Sequence, residues 1–244
     1  MVSYYCKMKT LFLDAPYAGL VELSPETLDY LIKKGYKKVG LYASVQFVNR
    51  LEEIKKQLER NKIKALTSRP DRAHVESQLL GCNVHGLNLE GDVDCYLYVG
   101  DGKFHPLALV YSQKKGQKEV VCDDPLSRKM SLLSREKVKT TLKKYKSFLM
   151  KFLTAKIVGI IITLKPGQEH YAFSQKLKEK YPDKRFYYFI DNNISFEQLE
   201  NFPFVDVWVN TACPRIALEE QDKFLKGVIN LNDALNANEV LAGF

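Results

Sequence analysis

Short apolar runs alternate along the chain with segments in which apolar residues recur every three or four positions. The runs Val39–Tyr42, Cys95–Val99 and Ile157–Leu164 have the length and composition of β-strands. From Phe47 to Leu58 the apolar residues instead follow one another at steps of four, three and four, which predicts a helix with one apolar face. This alternation of strands and helices predicts an α/β fold with mostly parallel sheets.

Helix ends are marked by capping residues. Ser24 and Pro25 have the types preferred at the N-cap and the first helical position, and Gly35 is suited to end that helix. Ser134 is predicted to cap a long helix that reaches about Lys151. Residues 67–78 are polar and predict a loop, and further strands are predicted at Thr10–Asp14, Ile63–Leu66, Leu107–Tyr111, Val120–Cys122, Arg185–Ile190 and Val205–Val209.

The pattern restarts in the second half, which indicates an internal repeat. Gln46 precedes Asp94 by 48 positions, and Gln168 precedes Asp206 by 38. In each half a strand precedes the glutamine, a helix and a second strand lie between the glutamine and the aspartate, and a further strand lies at the aspartate. We therefore predict two similar α/β domains, residues 1–153 and 154–244, each with a small mostly parallel sheet flanked by helices. The boundary is expected between residues 152 and 156.

Composition narrows the class of protein. The 244 residues are 45% hydrophobic and 27% charged, as in ordinary globular proteins, and no apolar run approaches the roughly 20 residues of a membrane helix. The first residues lack the features of a signal peptide, so we expect a cytoplasmic protein without a membrane partner. The net charge of +8 suits an acidic partner, but the lysines are spread over many predicted helix faces and no RNA-binding signature occurs. Direct nucleic-acid binding is not predicted.

The five cysteines lack the spacing of a local metal site. No two of them form a C-x-x-C pair, which excludes zinc fingers and short-spaced ferredoxin loops. Cys95 and Cys122 fall in predicted strands and are expected in the core. A metal site would therefore have to gather cysteines that lie far apart in sequence.

Two predicted strand-end loops carry the candidate chemistry, because ligands of parallel sheets gather beyond the carboxyl ends of strands. These loops, residues 100–106 and 210–215, each follow a strand that begins near Val-Asp, and we expect them to line one cleft between the domains. Cys213 lies beside Arg215, whose charge favours a thiolate. It suits metal ligation, nucleophilic catalysis with His105 as base, or simple burial. Cys82 follows Gly81 and suits either ligation or packing.

Several segments together carry a resemblance to a known family. The chain resembles the archaeal-type radical enzyme of diphthamide biosynthesis, 2-(3-amino-3-carboxypropyl)histidine synthase. The matching segments appear in the family's order and are Leu80–Asn83, Val99–Leu107, Asp124–Pro125, Lys165–Gln168, Phe202–Phe204 and Ala212–Arg215.

The resemblance implies a transferase that uses a 4Fe-4S cluster. In this family three α/β domains each supply one cysteine, and the reduced cluster cleaves S-adenosylmethionine. The resulting 3-amino-3-carboxypropyl radical adds to a histidine of translation elongation factor two. Cys82 matches the second-domain cluster ligand and Cys213 the third-domain ligand. The resemblance assigns no separate catalytic residue, and it implies contacts with the cofactor or S-adenosylmethionine at Gly102, His105, Gln168 and Arg215.

The family's first domain has no match in this chain. We therefore expect a separate polypeptide to supply that domain and its cysteine in a homo- or hetero-oligomer, with little activity from this chain alone. Cys6 is an alternative third ligand. The remaining alternative is a non-catalytic binding or scaffold subunit of the same pathway, in which the thiols are structural.

Overall fold

Two mostly parallel sheets flanked by helices make up the structure, a computed structural model that describes residues 13, 15–113, 118–133, 135–165 and 170–243. This confirms the predicted fold class. The first sheet has the order β2-β1-β3-β4-β5, with β1 Lys38–Ala43, β2 Lys64–Leu66, β3 Cys95–Val99, β4 Val120–Asp124 and β5 Lys129–Leu133. The second has the order β7-β6-β8-β9, with β6 Ile157–Thr163, β7 Arg185–Asp191, β8 Val207–Asn210 and β9 Gly227–Asn230.

Helices connect the strands and cover both sheets. In the first half they are α1 Pro25–Lys33, α2 Leu51–Arg60 after a short 3₁₀ turn Val48–Arg50, α3 Phe104–Tyr111 and α4 Arg135–Thr154. In the second half they are α5 Tyr171–Ser174, α6 Lys176–Lys180, α7 Phe196–Leu199, α8 Arg215–Glu219, α9 Leu231–Leu235 and α10 Ala237–Ala242, with a 3₁₀ turn Gln221–Lys223. None of the helices in the described ranges is both long enough and apolar enough to cross a membrane.

The predicted start of α1 is confirmed by its capping contacts. The Ser24 hydroxyl accepts a hydrogen bond from the Thr27 backbone N–H at 3.3 Å, and Pro25 is the first helical residue. Asp123 at the end of β4 holds this turn in place, because its Oδ1 accepts hydrogen bonds from the Ser24 and Thr27 hydroxyls at 2.7 and 2.5 Å. Gly35 ends the helix in a left-handed conformation, with φ of 71°.

One predicted strand, Leu107–Tyr111, is wrong: these residues form most of α3. The run is apolar on every side, so its pattern does not separate a strand from a buried helix. Pro106 falls in the first helical turn, where a missing backbone N–H costs nothing. The last strand of the first sheet, β5, pairs antiparallel with β4. This strand was not predicted from the sequence.

In chain order the first strand of the second sheet is β6. Its bounds agree with the predicted strand to within one residue. Helix α4 precedes it and packs Tyr145, Leu149 and Phe152 into the core of this second sheet. The predicted division at residues 152–156 lies where α4 gives way to β6, and it stays a prediction. The helix predicted after Gln168 is two short helices, α5 and α6. Gln168, Cys6, Ser134 and, apart from Leu13, the predicted strand 10–14 lie outside the described residues.

Candidate functional site

Cys213 lies in the loop after β8, at the point where the order of the second sheet reverses between β6 and β8. The side-chain amides of Asn210 and Asn230, at the ends of β8 and β9, hold this loop. Asn210 Nδ2 donates to the Cys213 carbonyl and to Asn230 Oδ1, both at 2.9 Å, and Asn230 Nδ2 donates to the Pro214 carbonyl at 3.0 Å. The Ala212 N–H donates to Asn210 Oδ1 at 3.0 Å. The backbone on both sides of the thiol is therefore fixed to the ends of β8 and β9.

Cys82 lies in a tight turn of the long connection between β2 and β3. Leu80 N–H donates to Asn83 Oδ1 at 2.7 Å, and the Asn83 amide donates in turn to the Asp71 carbonyl at 2.6 Å. Asn83 is buried, so these bonds are shielded from water. A Cβ atom on Gly81 would lie 2.1 Å from the Phe104 ring, so this position requires glycine unless the ring moves.

The two cysteine loops meet at one cavity of about 330 Å³. Cys82 lines it together with Ala212 and Pro214, the two neighbours of Cys213. Burial raises the pKa of the Cys82 thiol; the nearby charge of Arg72 lowers it, and a charge on Cys213 raises it. The fold therefore brings the loops of these two cysteines to one cavity, although 131 positions (213 − 82) separate the cysteines in sequence.

Arg215, predicted as a cofactor contact, is buried between the two halves of the structure. Its Nη1 donates to the Phe104 carbonyl at 2.6 Å and to the Gly81 carbonyl at 3.4 Å, and its Nη2 pairs with Glu219. The guanidinium carbon lies 4.4 Å from the centroid of the Phe104 ring. Arg215, which follows the Cys213 loop, thus holds the backbone of Gly81 just before Cys82.

Gly102 and His105 occupy the loop after β3, beside this contact. Gly102 is exposed, has a φ of 67°, and faces open space. His105 is half-buried, and burial lowers its pKa, with Asp101 acting against the shift and Arg215 adding to it. Neither residue is among those described as lining the cavity beside Cys82, so the expectation that both strand-end loops line one cleft is only partly met. Their contacts with a cofactor stay predictions.

The cavity also contains residues that the sequence did not single out. Arg72, His85 and His170 line it, together with polar side chains at the ends of β8 and β9. Neither histidine is predicted as a site residue from the sequence. His85 follows Cys82 by three positions, which was the available signal.

The donor set fits part of a thiolate-ligated cluster. Cys82 lines the cavity and Cys213 lies between two residues that line it, and both side chains carry the soft sulfur donor that iron–sulfur clusters use. Cys95 and Cys122 are buried in the first sheet, as expected, and burial raises the pKa of Cys95 to about 12. Among the described residues no three His, Cys, Asp or Glu side chains are grouped to hold a metal ion. A complete cluster therefore needs at least one donor from elsewhere.

Comparisons with known proteins agree with this donor chemistry. The sequence profile of the family described as "Putative diphthamide synthesis protein" matches residues 3–239. A relative from Pyrococcus horikoshii, named 2-(3-amino-3-carboxypropyl)histidine synthase, is 27% identical over 97% of this chain and 66% of its own length. A relative of the same name from Methanocaldococcus jannaschii is 31% identical over 91% of this chain and 60% of its own.

A solved structure shares the fold. The crystal structure of Dph2 from Pyrococcus horikoshii with a 4Fe-4S cluster matches with a TM-score of 0.67 and 25% identity, over 89% of this chain and 61% of that one. The chain thus spans about three fifths to two thirds of the length of these archaeal relatives.

Proposed function

Because the chain belongs to the family of putative diphthamide synthesis proteins, we propose that it is a subunit of a 4Fe-4S transferase. The enzyme moves a 3-amino-3-carboxypropyl group from S-adenosylmethionine to a histidine of translation elongation factor two. The names of the relatives and the cluster in the similar Dph2 structure support this reaction. The observation that carries the proposal is the meeting of the Cys82 and Cys213 loops at one cavity.

In this proposal Cys82 and Cys213 bind iron as thiolates. When bound, the cluster supplies the electron that breaks a carbon–sulfur bond of S-adenosylmethionine. Burial raises the pKa of the Cys82 thiol, so metal binding at this residue would have to release the thiol proton. Asn210 and Asn230 hold the backbone around Cys213. They thereby keep the Cys213 side chain in place.

The cavity walls suit a substrate with both charged and polar groups. Arg72 supplies a cation beside Cys82, and the strand-end asparagines supply amides. Gly102, His105 and Gln168 stay proposed contacts for S-adenosylmethionine. For Arg215 the hydrogen bonds to Gly81 and Phe104 favour a second contribution, which is to join the two cysteine loops.

The remaining donor is proposed to come from a separate first-domain polypeptide in a homo- or hetero-oligomer, with Cys6 as the alternative source. Such an assembly places the cluster where the domains meet, so that it forms only in the complex. The chain is proposed to act in the cytoplasm, where its protein substrate is made and used.

Anaerobic reconstitution with iron and sulfide tests the proposal. Wild-type chain is mixed with a candidate first-domain polypeptide, and bound iron and the electron paramagnetic resonance signal of the reduced sample are measured. We expect a cluster that Cys213→Ala and Cys82→Ala each remove, whereas Cys122→Ala, which alters a buried thiol of the first sheet, leaves it intact. No cluster in any mixture, or one that survives Cys213→Ala, contradicts the proposal.

The second candidate is a non-catalytic scaffold subunit, and the observation that favours it is that Cys82, but not Cys213, is among the described residues that line the cavity. In that case the thiols are structural, and the reconstituted complex binds elongation factor two without modifying it. Mass spectrometry of the factor after incubation with S-adenosylmethionine and reductant separates the two functions.

A further inference from the structure

The segment that carries Cys82 is anchored to the other half of the molecule at three successive points. The Gly81 carbonyl accepts a hydrogen bond from Arg215 of α8. Val84 is buried in the core of the second sheet, although it belongs to the connection before β3. His85 Nε2 lies 3.1 Å from Oδ1 of Asp233 in α9. Cys82 is thus held from both sides by helices that follow β8 and β9.

Asp233 is the end of a buried polar chain. Its Oδ2 accepts a hydrogen bond of 2.5 Å from the Tyr145 hydroxyl, and that hydroxyl accepts one of 2.8 Å from the Asn230 N–H. Asp233 is 4% exposed, and Tyr145 is buried in the core. The carboxylate therefore has a fixed orientation, set by α4 and by the end of β9. The contact with His85 is within ion-pair range but lacks the alignment of a strict hydrogen bond.

Packing alone does not require this arrangement. A buried carboxylate is costly unless its oxygens are paired, and an apolar side chain at 233 would fill the same space without that cost. Tyr145 satisfies one oxygen, and the other faces the histidine three positions after Cys82. The contact between His85 and Asp233 joins two particular polar atoms at 3.1 Å, whereas Val84 makes an apolar contact that depends less on the placement of single atoms. Asp233 thus limits how far the turn around Cys82 can move.

We propose that Asp233 is a positioning residue for the metal site: through His85 it sets the place of Cys82 opposite Cys213, and Tyr145 holds Asp233 in orientation. The inference rests on the proposed function, because it takes Cys82 and Cys213 as ligands of one metal centre. Partners of this kind, one step removed from the ligands, typically change metal affinity by about 10- to 100-fold when they are replaced.

A soft divalent ion tests this without the cluster. The full-length chain, reduced and free of oxygen, is titrated with Cd²⁺ while the ultraviolet charge-transfer band of cadmium thiolates is recorded. Wild type is expected to bind one ion through both thiols, and Cys82→Ala and Cys213→Ala to lose the band. Asp233→Asn is expected to weaken Cd²⁺ binding about 10-fold and to change the band. His85→Gln is expected to do the same, and the double variant to be no weaker than either single variant.

The matched control is Asp206→Asn. Asp206 accepts hydrogen bonds from the Lys156 and Ile157 N–H groups at the opposite end of the second sheet, so its loss lowers stability without touching the cavity. Asp233→Asn that keeps wild-type Cd²⁺ affinity while losing as much thermal stability as Asp206→Asn overturns the positioning role. If Asp233→Asn does not fold, an unchanged affinity in His85→Gln overturns it equally. A wild-type chain that binds Cd²⁺ without both thiols counts instead against the proposed function.

Discussion

Arg215→Met tests whether one buried cation joins the two cysteine loops. Methionine keeps the apolar stem and the approximate length, and it removes only the guanidinium. Arg215 is 3% exposed, so its hydrogen bonds to the carbonyls of Phe104 and Gly81 are shielded from solvent. Replacing it leaves those two carbonyls and Glu219 without their donor.

The magnitude follows from these contacts. The bond to Phe104, at 2.6 Å, is short and charge-assisted, and a hydrogen bond of this kind contributes about 1.5–3 kcal/mol. The bond to Gly81, at 3.4 Å, adds little. Leaving the Gly81 carbonyl without a donor costs about 1–3 kcal/mol, whereas removing a buried charge returns part of that. Glu219 is partly exposed and regains water. We expect a net loss of about 3 kcal/mol in the free energy of unfolding.

Urea unfolding measures this loss. Trp208 is the single tryptophan and is buried in the second sheet, so its fluorescence reports that half, while far-ultraviolet circular dichroism reports both. The matched control is Arg185→Met, on the exposed side of β7, which should cost under about 0.5 kcal/mol. A loss for Arg215→Met that equals the control's would show that the guanidinium contacts do not join the halves.

Three further predictions concern the same region. Gly81→Ala should lower the free energy of unfolding by about 1–3 kcal/mol, because the added Cβ overlaps the Phe104 ring. Thermal unfolding measures the loss, and a second substitution, Phe104→Ala, should recover part of it. An unchanged stability of Gly81→Ala would contradict the close approach of Gly81 to the ring. Burial lowers the folded-state pKa of His105, so near that pKa the unfolded chain takes up a proton that the folded chain does not. The free energy of unfolding should therefore fall as the pH drops below about 6.5, and it should fall less in His105→Gln. Urea titrations at several pH values measure this, and an equal fall with pH in both proteins would refute the prediction. Cys95 is fully buried, and burial raises its pKa to about 12, so it should react with iodoacetamide far more slowly than Cys213 at mildly alkaline pH. Peptide mass spectrometry measures both alkylation rates. Comparable rates would contradict the burial of Cys95.

The elements that the sequence predicted well are those whose pattern has one explanation. Ser24 and Pro25 are residue types that favour a helix start through contacts within the first turn, and the strand at 157–164 is bounded by polar residues on both sides. The run Leu107–Tyr111 failed because a helix buried on all sides and a buried strand share one pattern. Strand β5 was missed for another reason. It is a partly polar strand at the edge of the sheet, and it forms only because it pairs with the neighbouring strand β4.

The candidate site divides in the same way. Cys82 and Cys213 carried local signals, a glycine before one and a strand end before the other, together with the family resemblance. Their approach across the cavity depends on how two sheets pack, which no local pattern encodes. The position of His85 three residues after Cys82 was a weak signal, whereas Asp233 carried none, because the contact between these two residues forms only in the folded chain. Long-range electrostatic pairs of this kind are visible only in the structure.

The most direct test of the central claim is whether the thiols of Cys82 and Cys213 can be bridged. Phenylarsine oxide joins two thiols that lie close together, and digestion under non-reducing conditions identifies the peptides it connects. Native full-length chain is expected to carry one arsenic atom that links the Cys82 peptide to the Cys213 peptide, and either cysteine-to-alanine variant is expected to lose it. An arsenic atom bridging any other pair, or none at either cysteine, would contradict a shared metal site.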